Sequence, residues 1–450
     1  MTEYLEQSTR VSERAVVLGC GMAGIAAAAT LSNHFDEVVI IERDELPEEP
    51  QARRGVPQDE QLHNLLSVAQ INLETLLPGF LDNLQKAGGG NAGVSDQTHV
   101  HELGMPMPER NIGLRLMSAW RPVMEHVARE RLMQRQNIVR GLGRATGLCT
   151  HEQGIAGAVV EAERGRKIIS GSVVVDATGG KSQAYRWLAE QGLDVPPVDE
   201  KRVDQWYVST QFKRPEAYQD CPDFWLSLPH VGSSRGALVS PITDGRWYVS
   251  ASGHGRDTPP RTAEEVKEYA RTLDDDLAVS QLIDNAQPLS KPNLFRKTSA
   301  YIRRYDLLEQ PLVGFLPVGD SLASLNPLFG QGISVASQQS IELGSLLTSY
   351  VGGEVGRTAL TATYLDQAVH RAQTAWNLGE VVDNTISGSS EDMQAITRRQ
   401  KALGQLISDN PELHKKYVGI WHLIEPAAIL QSPDFVKGIE DYSSYSNGNE

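Results

Sequence analysis

Gly19-Cys20-Gly21-Met22-Ala23-Gly24 stands between two short apolar segments, Ala15-Val16-Val17-Leu18 before it and Val38-Val39-Ile40-Ile41 after it. An apolar, β-branched run that stops at glycine is typical of a buried parallel strand. The alanine-rich residues 25–31 favour a helix. The sequence therefore predicts a strand, a tight turn, a helix and a second strand, which is the first βαβ unit of a Rossmann-like domain.

The three glycines have distinct expected roles in such a unit. Gly19 permits the tight turn, Gly21 lets the backbone approach a pyrophosphate, and Gly24 lets the helix pack on the strand. The pyrophosphate would sit at the helix N-terminus, where unpaired N–H groups and the helix dipole favour an anion. The alternative is that the glycines serve close packing alone.

Glu42 closes the second predicted strand, with Arg43 directly after it. A carboxylate at this position is expected to hydrogen-bond the ribose hydroxyls of an adenosine, and it argues against a 2′-phosphate there. This half of the site does not separate NAD from FAD. Its expected contacts are Gly19, Gly21, Met22, Ala23, Gly24, Glu42 and Arg43.

A second motif follows much later in the chain. Pro317-Val318-Gly319-Asp320 ends a strand predicted over residues 312–318, and residues 326–334 open a long helix. Backbone N–H groups would again point at an electron-rich ligand edge, with Asp320 accepting from a ribityl hydroxyl and the loop covering a flavin ring. The motif therefore favours FAD, although an ordinary strand-to-helix loop is the alternative. The expected contacts are Gly319, Asp320, Pro327, Gly330, Gln331, Gly332 and Ile333.

Composition bounds the class of protein. The 450 residues are 40% hydrophobic and 22% charged, as in ordinary globular proteins, and allow two or three structural units. The net charge of −15 makes nucleic acid and membrane surfaces poor partners. Three scattered cysteines, Cys20, Cys149 and Cys221, suggest neither a disulfide framework nor a metal site. Neither a signal peptide nor a membrane-spanning run is visible, so we expect a soluble cytoplasmic protein.

The remaining patterns divide the chain. We expect a first part of an FAD-binding domain at 1–194, a substrate-binding β-sheet insert at 195–300, the second part of the FAD-binding domain at 301–350 and a helical region at 351–450. Helices are predicted over 62–77, from Arg121 with Pro122 at its start, and over 337–350 and 359–382. Strands are predicted over 173–176, 206–212 and 246–252, the last entered through an Asp244-Gly245 turn.

These motifs resemble the group A FAD-dependent monooxygenases, of the hydroxybenzoate hydroxylase fold. The resemblance covers most of the chain and is weakest after about residue 380. Within that group the chain is similar to a natural-product branch that includes the polyether polyene epoxidases and the FAD-dependent decalin-forming [4+2] cyclases of spirotetronate pathways such as pyrroindomycin. The segments that carry it are Arg54-Gly55-Val56-Pro57-Gln58, Val175-Asp176-Ala177-Thr178-Gly179, Pro241-Ile242-Thr243-Asp244-Gly245-Arg246-Trp247, Gly319-Asp320 and Asn326-Pro327-Leu328-Phe329-Gly330-Gln331-Gly332.

The resemblance implies a fold and further site residues. The fold is α/β, with a Rossmann-like FAD-binding domain, an inserted mostly antiparallel substrate sheet and a C-terminal helical region. Arg121 matches the helix-start arginine that contacts FAD, Asp176 lies in a cofactor segment, and Pro327 and Gly332 match the loop that faces the reactive carbon of the flavin. Without the resemblance, Arg121 would be read as an ordinary surface arginine.

Two segments depart from the pattern of the oxygenases in this branch. Where Arg-His-x-His is usual, the chain has Glu60-Gln61-Leu62-His63 after Asp59, so only the second histidine is kept. Where Gly-Arg-Gly-Ser is usual, it has Gly179-Gly180-Lys181-Ser182. Glu60 beside Asp59 would oppose an approaching diphosphate, so that hydride delivery would be impaired, while Lys181 would restore a point charge. The alternative is drift among solvent-exposed residues.

Two reactions remain open. A redox-neutral [4+2] cyclase of the Diels-Alder type would keep FAD as a scaffold and fold a polyene or polyketide by orientation alone, which the missing arginines narrowly favour. A monooxygenase or epoxidase would need NAD(P)H and O₂, and the kept loop at residues 326–332 supports it. A flavin-binding protein without catalysis is a third hypothesis. A flavin halogenase is disfavoured because the Trp-x-Trp-x-Ile-Pro signature is absent.

Substrate contacts are expected in the insert. Its candidate side chains are Trp206, Tyr207, Gln211, Phe212, Trp225, His230, Trp247 and His254. Of these we single out Trp206, Gln211, Trp225 and Trp247, although only alternate side chains of a strand face one side and aromatic residues there are more often core. An apolar polyene or polyketide substrate is implied by the resemblance, no catalytic residue is assigned, and the oligomeric state stays open, a homodimer included.

Overall fold

The computed structural model describes residues 11–53, 58–151, 154–242, 245–255, 257–273, 279–387 and 390–446. Residues 54–57 of the first resemblance segment, and Thr243 and Asp244 of the third, lie outside these ranges. The predicted Asp244-Gly245 turn is therefore described only at Gly245, which has a φ of +63°.

The strands of the described chain fall into four sheets. They are β1 (Val11–Leu18), β2 (Phe35–Glu42), β3 (Leu62–Leu65), β4 (Gly90–Gly93), β5 (Thr98–Glu102), β6 (Met105–Pro106), β7 (Arg115–Trp120), β8 (Ile138–Leu142), β9 (Arg144–His151), β10 (Gly154–Ala162), β11 (Gly165–Ser170), β12 (Val173–Asp176), β13 (Val198–Lys213), β14 (Phe224–Ser227), β15 (Gly236–Ile242), β16 (Arg246–His254), β17 (Asn293–Arg303), β18 (Phe315–Pro317) and β19 (Ala323–Ser324).

Helices connect and cover these sheets. They are α1 (Met22–Leu31), α2 (Ser67–Leu76), α3 (Phe80–Lys86), α4 (Arg121–Met133), α5 (Ala184–Glu190), α6 (Ala263–Ala270), α7 (Val279–Ile283), α8 (Gly332–Val351), α9 (Arg357–Ser387), α10 (Ser390–Asp409), α11 (Pro411–Trp421) and α12 (Pro433–Ser446). Within the described ranges, none of them is long and apolar enough to cross a lipid bilayer.

A parallel five-stranded sheet forms the first layer, in the order β18-β12-β1-β2-β8. Its apolar strands are buried on both faces, and Val17 pairs with Ile40 on one side and Val175 on the other. Because all the strands run the same way, their carboxyl ends share one edge, where Glu42 lies. The α/β class and the βαβ start are confirmed.

An eight-stranded sheet forms the second layer, in the order β19-β17-β13-β16-β15-β14-β5-β6. Its pairs are antiparallel except for β14 with β5. One face carries Trp206, Phe212, Trp225 and Trp247, which form a core with α6 and α7. Besides strands from the expected insert, the sheet takes β5 and β6 from residues 98–106 and β19 from residues 323–324.

Two predicted elements differ in the structure. Residues 62–65 form β3, paired with β7, and only residues 67–76 are helical, because strand pairing with a distant segment overrides the local pattern. The strand predicted over 312–318 is confined to β18, an edge strand, where Pro317 is tolerated because no further strand requires its missing N–H. The helix predicted at Arg121 begins there.

The C-terminal helices close one end of the molecule. Leu406, Leu413, Tyr417 and Phe435, from α10, α11 and α12, form a core onto which the β5–β6 hairpin packs through Met107 and neighbouring side chains. The predicted helical region therefore covers the β6 edge of the eight-stranded sheet, far along the sheet from β19.

Candidate functional site

A continuous cavity of about 1760 Å³ runs from the carboxyl edge of the parallel sheet to the C-terminal helices. Gly21 and Glu42 line one part of it, Asp320 and Gly332 a second, and Leu226 and Tyr417 a third. The two predicted cofactor motifs thus open into one space. Among the described residues, no cluster of three or more His, Cys, Asp or Glu side chains could hold a metal ion.

The glycine loop at the start of α1 is held by close backbone contacts. Gly19 has a φ of +104°, and a Cβ there would lie 2.4 Å from the carbonyl oxygen of Ala177. A Cβ on Gly24 would lie 2.1 Å from the carbonyl oxygen of Gly19, so this glycine serves packing and does not line the cavity. Gly21, Met22 and Ala23 do line it, at the N-terminus of α1, where N–H groups lack intrahelical partners.

Glu42 lines the cavity at the end of β2 and is only 7% exposed. Its Oε2 accepts from the backbone N–H of Cys20 at 2.7 Å, and its Oε1 accepts from those of Arg43 at 2.8 Å and Asp44 at 3.1 Å. Three backbone donors fix the carboxylate, whose remaining lone pairs can accept ribose hydroxyls. Arg43 is exposed and lines the same part of the cavity.

A buried network of charges adjoins Glu42. Glu125 Oε1 accepts from Arg121 Nε at 2.8 Å, and Glu125 Oε2 lies 2.5 Å from Arg53 Nη2. Arg53 Nη1 also lies 3.6 Å from Glu42 Oε2. Burial alone would raise the pKa of Glu125, but Arg121 and Arg53 lower it below its usual value, so the carboxylate stays ionised. The network holds two guanidinium groups at the cavity wall.

His63 and Asp59 lie beside this network. Burial, reinforced by the charge of Arg121, lowers the pKa of His63 to about 3, so its imidazole is neutral. Burial raises the pKa of Asp59 to about 6, although the N–H of Arg53 donates to its Oδ2 at 2.7 Å. Glu60, by contrast, is exposed, and only its backbone oxygen points inward, to the hydroxyl of Tyr248 at 2.6 Å.

The second motif forms another part of the wall. Asp320 lines the cavity, and its backbone oxygen accepts from Tyr301 Oη at 2.9 Å. Lys297 also lines it and donates to Ser324 Oγ, which lies 3.4 Å from Asp320 Oδ2. Burial lowers the pKa of Lys297, and Asp320 opposes that effect. The lysine therefore places a partly desolvated cation next to Asp320.

The loop before α8 faces the cavity and contacts the C-terminal helices. Pro327, Gly330, Gln331, Gly332 and Ile333 all line the cavity. Gln331 Nε2 donates to the backbone oxygen of Trp421 at 3.2 Å, and the adjacent Phe329 ring stacks on Trp421 with centroids 5.3 Å apart. A residue of α11 thus fixes the loop.

The third part of the cavity runs along the free face of the eight-stranded sheet. Successive strands from β19 to β5 each supply a lining side chain: Ser324, Lys297, Tyr207, Ser250, Leu238, Leu226 and Glu102. The spacing of neighbouring strands puts β17 and β5 roughly 24 Å apart across the sheet. Apolar side chains dominate the far end, with Val100, Leu103, Leu403, Val418, Leu430 and Ile439 among them. Arg399, Gln400 and His414 also line this end, and polar side chains prevail nearer β19.

The chain has a known relative at the level of sequence. No family model matches it. It is 30% identical to Protein Rv3254 of Mycobacterium tuberculosis (strain ATCC 25618 / H37Rv) over 374 residues, which cover 78% of this chain and 78% of that protein. The chain belongs to the family of Protein Rv3254.

Solved structures share the fold of this Rv3254-family chain at lower identity. Flavin-dependent brominase Bmp2 superposes with a TM-score of 0.68 at 16% identity, over 97% of this chain and 100% of its own. The p-nitrophenol 4-monooxygenase PnpA from Pseudomonas putida DLL-E4 gives 0.66 at 14%, over 93% and 99%. The Diels-Alderase PyrE3 of the pyrroindomycin pathway gives 0.63 at 16%, over 92% and 81%. The predicted monooxygenase fold is confirmed.

Two of the predicted cofactor residues of this family member lie behind the cavity wall. Asp176 is fully buried and accepts from Thr178 N at 3.0 Å, Thr178 Oγ1 at 2.6 Å and Ser182 Oγ at 2.5 Å. It shapes the turn whose residues 177–181 line the cavity, and it does not line the cavity itself. Gly24 is the other.

The four residues singled out for the substrate also lie outside the cavity. Trp206, Trp225 and Trp247 point to the opposite face of the sheet, where they pack with α6 and α7. Gln211 lies near the end of β13 and accepts from Arg246 Nη1 at 2.9 Å. The alternation of side chains along a strand gives the reason for Trp206, because its neighbour Tyr207 is the residue that lines the cavity. Gln211 is on the same face as Tyr207 but lies beyond the cavity, at the end of β13.

Sequence reasoning missed several residues of the wall. Arg53 directly precedes a segment of the resemblance, which was the one signal for it. Lys297, Tyr301 and Glu102 carried no motif, since their place depends on strand pairing between distant segments.

Proposed function

We propose that this protein is an FAD-dependent enzyme that acts on an extended apolar small molecule. The observation that carries the proposal is the single cavity that joins the N-terminus of α1, the N-terminus of α8 and the free face of the eight-stranded sheet. Two helix N-termini suit the two polar halves of a dinucleotide. The sheet face leaves room for a second, apolar ligand beside it.

The residues of the cavity fit FAD. A Cβ on Gly332 would meet only Asp320 Oδ1, at 4.0 Å, and one on Gly21 only Glu125 Oε1, at 3.5 Å, so both helix starts leave their backbone open to the cavity. At the first, the N–H groups of α1 and the guanidinium of Arg121 would bind the pyrophosphate while Glu42 accepts the ribose hydroxyls. At the second, Asp320 would accept a ribityl hydroxyl.

Bound FAD supplies either redox chemistry or a rigid planar surface against which a substrate folds. The chain's own residues orient the two ligands. Lys297 holds a positive charge beside Asp320, and the loop before α8 is fixed by the stack of Phe329 on Trp421. The apolar side chains of the far end would pack against an apolar substrate.

For the reaction we propose a redox-neutral [4+2] cyclisation of a polyene or polyketide. Position 180, where the related oxygenases carry arginine, is a glycine that lines the cavity, and a Cβ there would lie 3.6 Å from Tyr301 Oη and 4.0 Å from Asp320 Oδ2. The altered position thus faces the proposed flavin site. Cyclisation needs orientation of diene and dienophile, which a long, shaped cavity supplies.

Monooxygenation with NAD(P)H and O₂ is the second candidate. The loop of residues 326–332 keeps the pattern of the oxygenases and lines the cavity beside Asp320. Lys181 lines the same cavity and provides a cation near position 180.

Two measurements test these proposals in turn. The purified protein is expected to show the visible absorption of oxidised flavin and to release FAD on heat denaturation; a protein that takes up no FAD contradicts the cofactor proposal. The FAD-loaded protein is then mixed anaerobically with NADH and with NADPH, with and without a linear tetraene ester. We expect slow reduction in every case. Rapid bleaching of the flavin, accelerated by the polyene, would instead establish the oxygenase.

A further inference from the structure

A carboxylic acid and a tyrosine meet at the far end of the cavity. Glu102 ends β5, and the hairpin to β6 turns through Leu103 and Gly104, both with positive φ, +58° and +75°. Positive φ is unfavourable for leucine, so the surrounding packing holds this turn in place. Tyr417 lies opposite, on α11, and its hydroxyl donates to Glu102 Oε1 at 2.6 Å.

Of the pair, Tyr417 is buried and Glu102 is half-buried. Tyr417 is 3% exposed and belongs to the core of α10, α11 and α12. Both residues line the cavity, in its apolar part beside Leu103, Leu403 and Ile439. Glu102 Oε2 has no hydrogen-bond partner among the residues that the structure describes. One oxygen is thus held by Tyr417 while the other is free to meet a ligand.

The carboxyl is suited to donate a proton in a hydrogen bond. Burial raises the pKa of Glu102 to about 7, although the hydrogen bond from Tyr417 opposes the rise. An apolar ligand in the cavity would remove the remaining water and favour the neutral form further. With Tyr417 donating to Oε1, the proton of the neutral acid resides on Oε2 and points to an acceptor in the cavity.

We infer that Glu102 is a substrate-binding hydrogen-bond donor, that Tyr417 positions it, and that the substrate carries an uncharged carbonyl oxygen at the end of its apolar skeleton remote from β19. The inference rests on the proposed function, because it assigns an end to the molecule that fills the same cavity. It narrows the substrate from an apolar chain to an apolar ketone, ester, aldehyde or amide. A neutral donor matches an uncharged acceptor oxygen.

Two probes of equal shape test the donor. They are 2-undecanone and 2-methyl-1-undecene, in which a methylene replaces the carbonyl oxygen, and each is titrated calorimetrically into the FAD-loaded protein. A hydrogen bond to a neutral acceptor is expected to favour the ketone, relative to the alkene, by about 3- to 10-fold. Glu102→Met should abolish that preference, whereas Glu102→Gln should keep part of it because the amide still has N–H donors.

Tyr417→Phe tests the positioning role. It keeps the carboxyl of Glu102 but removes the hydrogen bond that orients it. The preference for the ketone should therefore shrink, while the affinity for the alkene stays unchanged. The matched controls are Glu109→Met, at an exposed glutamate that accepts from His99, and Tyr442→Phe, at a half-buried tyrosine of α12 that donates to Asp409 and does not line the cavity. Both controls should retain the full preference.

Each outcome decides the inference separately from the cofactor. An equal ratio of ketone to alkene affinity in the unaltered protein and in Glu102→Met overturns the donor role. Failure of both probes to bind overturns it together with the apolar substrate. FAD content, read from the flavin spectrum of every variant, decides the cofactor proposal independently, since Glu102 and Tyr417 lie at the opposite edge of the eight-stranded sheet from β19.

Discussion

Gly24 lies where the backbone of α1 packs so closely on the preceding turn that no side chain fits. A Cβ there would lie 2.1 Å from the carbonyl oxygen of Gly19. We therefore expect Gly24→Ala to destabilise the protein by about 1–3 kcal/mol through overpacking and to lower FAD retention, as measured by denaturant unfolding and flavin absorbance. Gly356→Ala is the control, because a Cβ at Gly356 meets nothing within 4 Å, and it should leave stability unchanged or raised by at most about 1 kcal/mol.

Gly180 offers a test of why the chain departs from the oxygenases. A Cβ at this position makes only ordinary contacts, the nearest at 3.6 Å, so a side chain can be accommodated. Gly180→Arg should speed reduction of the bound flavin by NADPH, because a guanidinium would attract the diphosphate of the reductant. Stopped-flow absorbance measures the rate. Gly180→Ala adds bulk without charge and should not change it, and an equal rate in all three proteins would show that position 180 does not limit reduction.

Glu102 should also make stability depend on pH. The folded protein raises the pKa of this carboxyl from 4.5 to about 7, so the folded state binds the proton more tightly than the unfolded state. Its contribution is fully present below about pH 4.5 and is lost as the pH rises through about 7. Glu102→Gln, which cannot ionise, should therefore be more stable than the unaltered protein at pH 8, by about 1–3 kcal/mol, and similar to it at pH 5. Thermal unfolding at both pH values measures this, and an equal gain at both would contradict it.

At the level of elements, α11 supports the loop before α8. The stack of Phe329 on Trp421 contributes about 0.5–1.5 kcal/mol beyond its buried area. Trp421→Ala should therefore raise amide hydrogen exchange in residues 411–421 and 326–332 and leave α1 unchanged. Trp421→Phe keeps a ring and should restore most of the protection. Exchange that rises equally in α1 would mean global unfolding rather than loss of this contact.

The helices and strands that could be predicted are those with a local sequence signal. The strand at 15–18, the helix after Gly21 and the helix at Arg121 carry local signals, and the structure contains all three. Residues 62–65 carry no such signal, since the pairing of β3 with β7 decides their form. Trp206 and Tyr207 must face opposite sides of their strand, but which of them faces the cavity could not be predicted, because a shift of one residue in register exchanges the two faces.

For the whole molecule, the cavity joins segments from every part of the chain. Gly21, Asp320 and Tyr417 line one space, and the hydrogen bond between Glu102 and Tyr417 spans 315 positions of sequence. No local pattern encodes such a contact. The motifs therefore predict where a cofactor binds, whereas the substrate surface depends on the arrangement of the eight-stranded sheet and the C-terminal helices.

FAD should stabilise the molecule as a whole. A ligand that binds only the folded state adds about 2.7 kcal/mol when its concentration is 100 times its Kd. Thermal unfolding of the protein stripped of flavin should occur at a lower Tm than that of the loaded protein, and added FAD should restore it in proportion to the logarithm of its concentration. NAD is the control ligand, and an equal rise in Tm with NAD would contradict an FAD-specific site.

The closure of the cavity by α10–α12 has a consequence for biosynthesis of the protein. The residues proposed to hold FAD all precede Val335, which lies in the first turn of α8. The residues that complete the substrate surface come much later in the chain: Tyr417, Leu430 and Ile439. A ribosome makes the chain from its N-terminus, so a nascent polypeptide contains every residue proposed to hold FAD before Trp421 can fix the loop of residues 326–332. Neither that loop nor the end of the substrate surface is complete until the last helices have emerged.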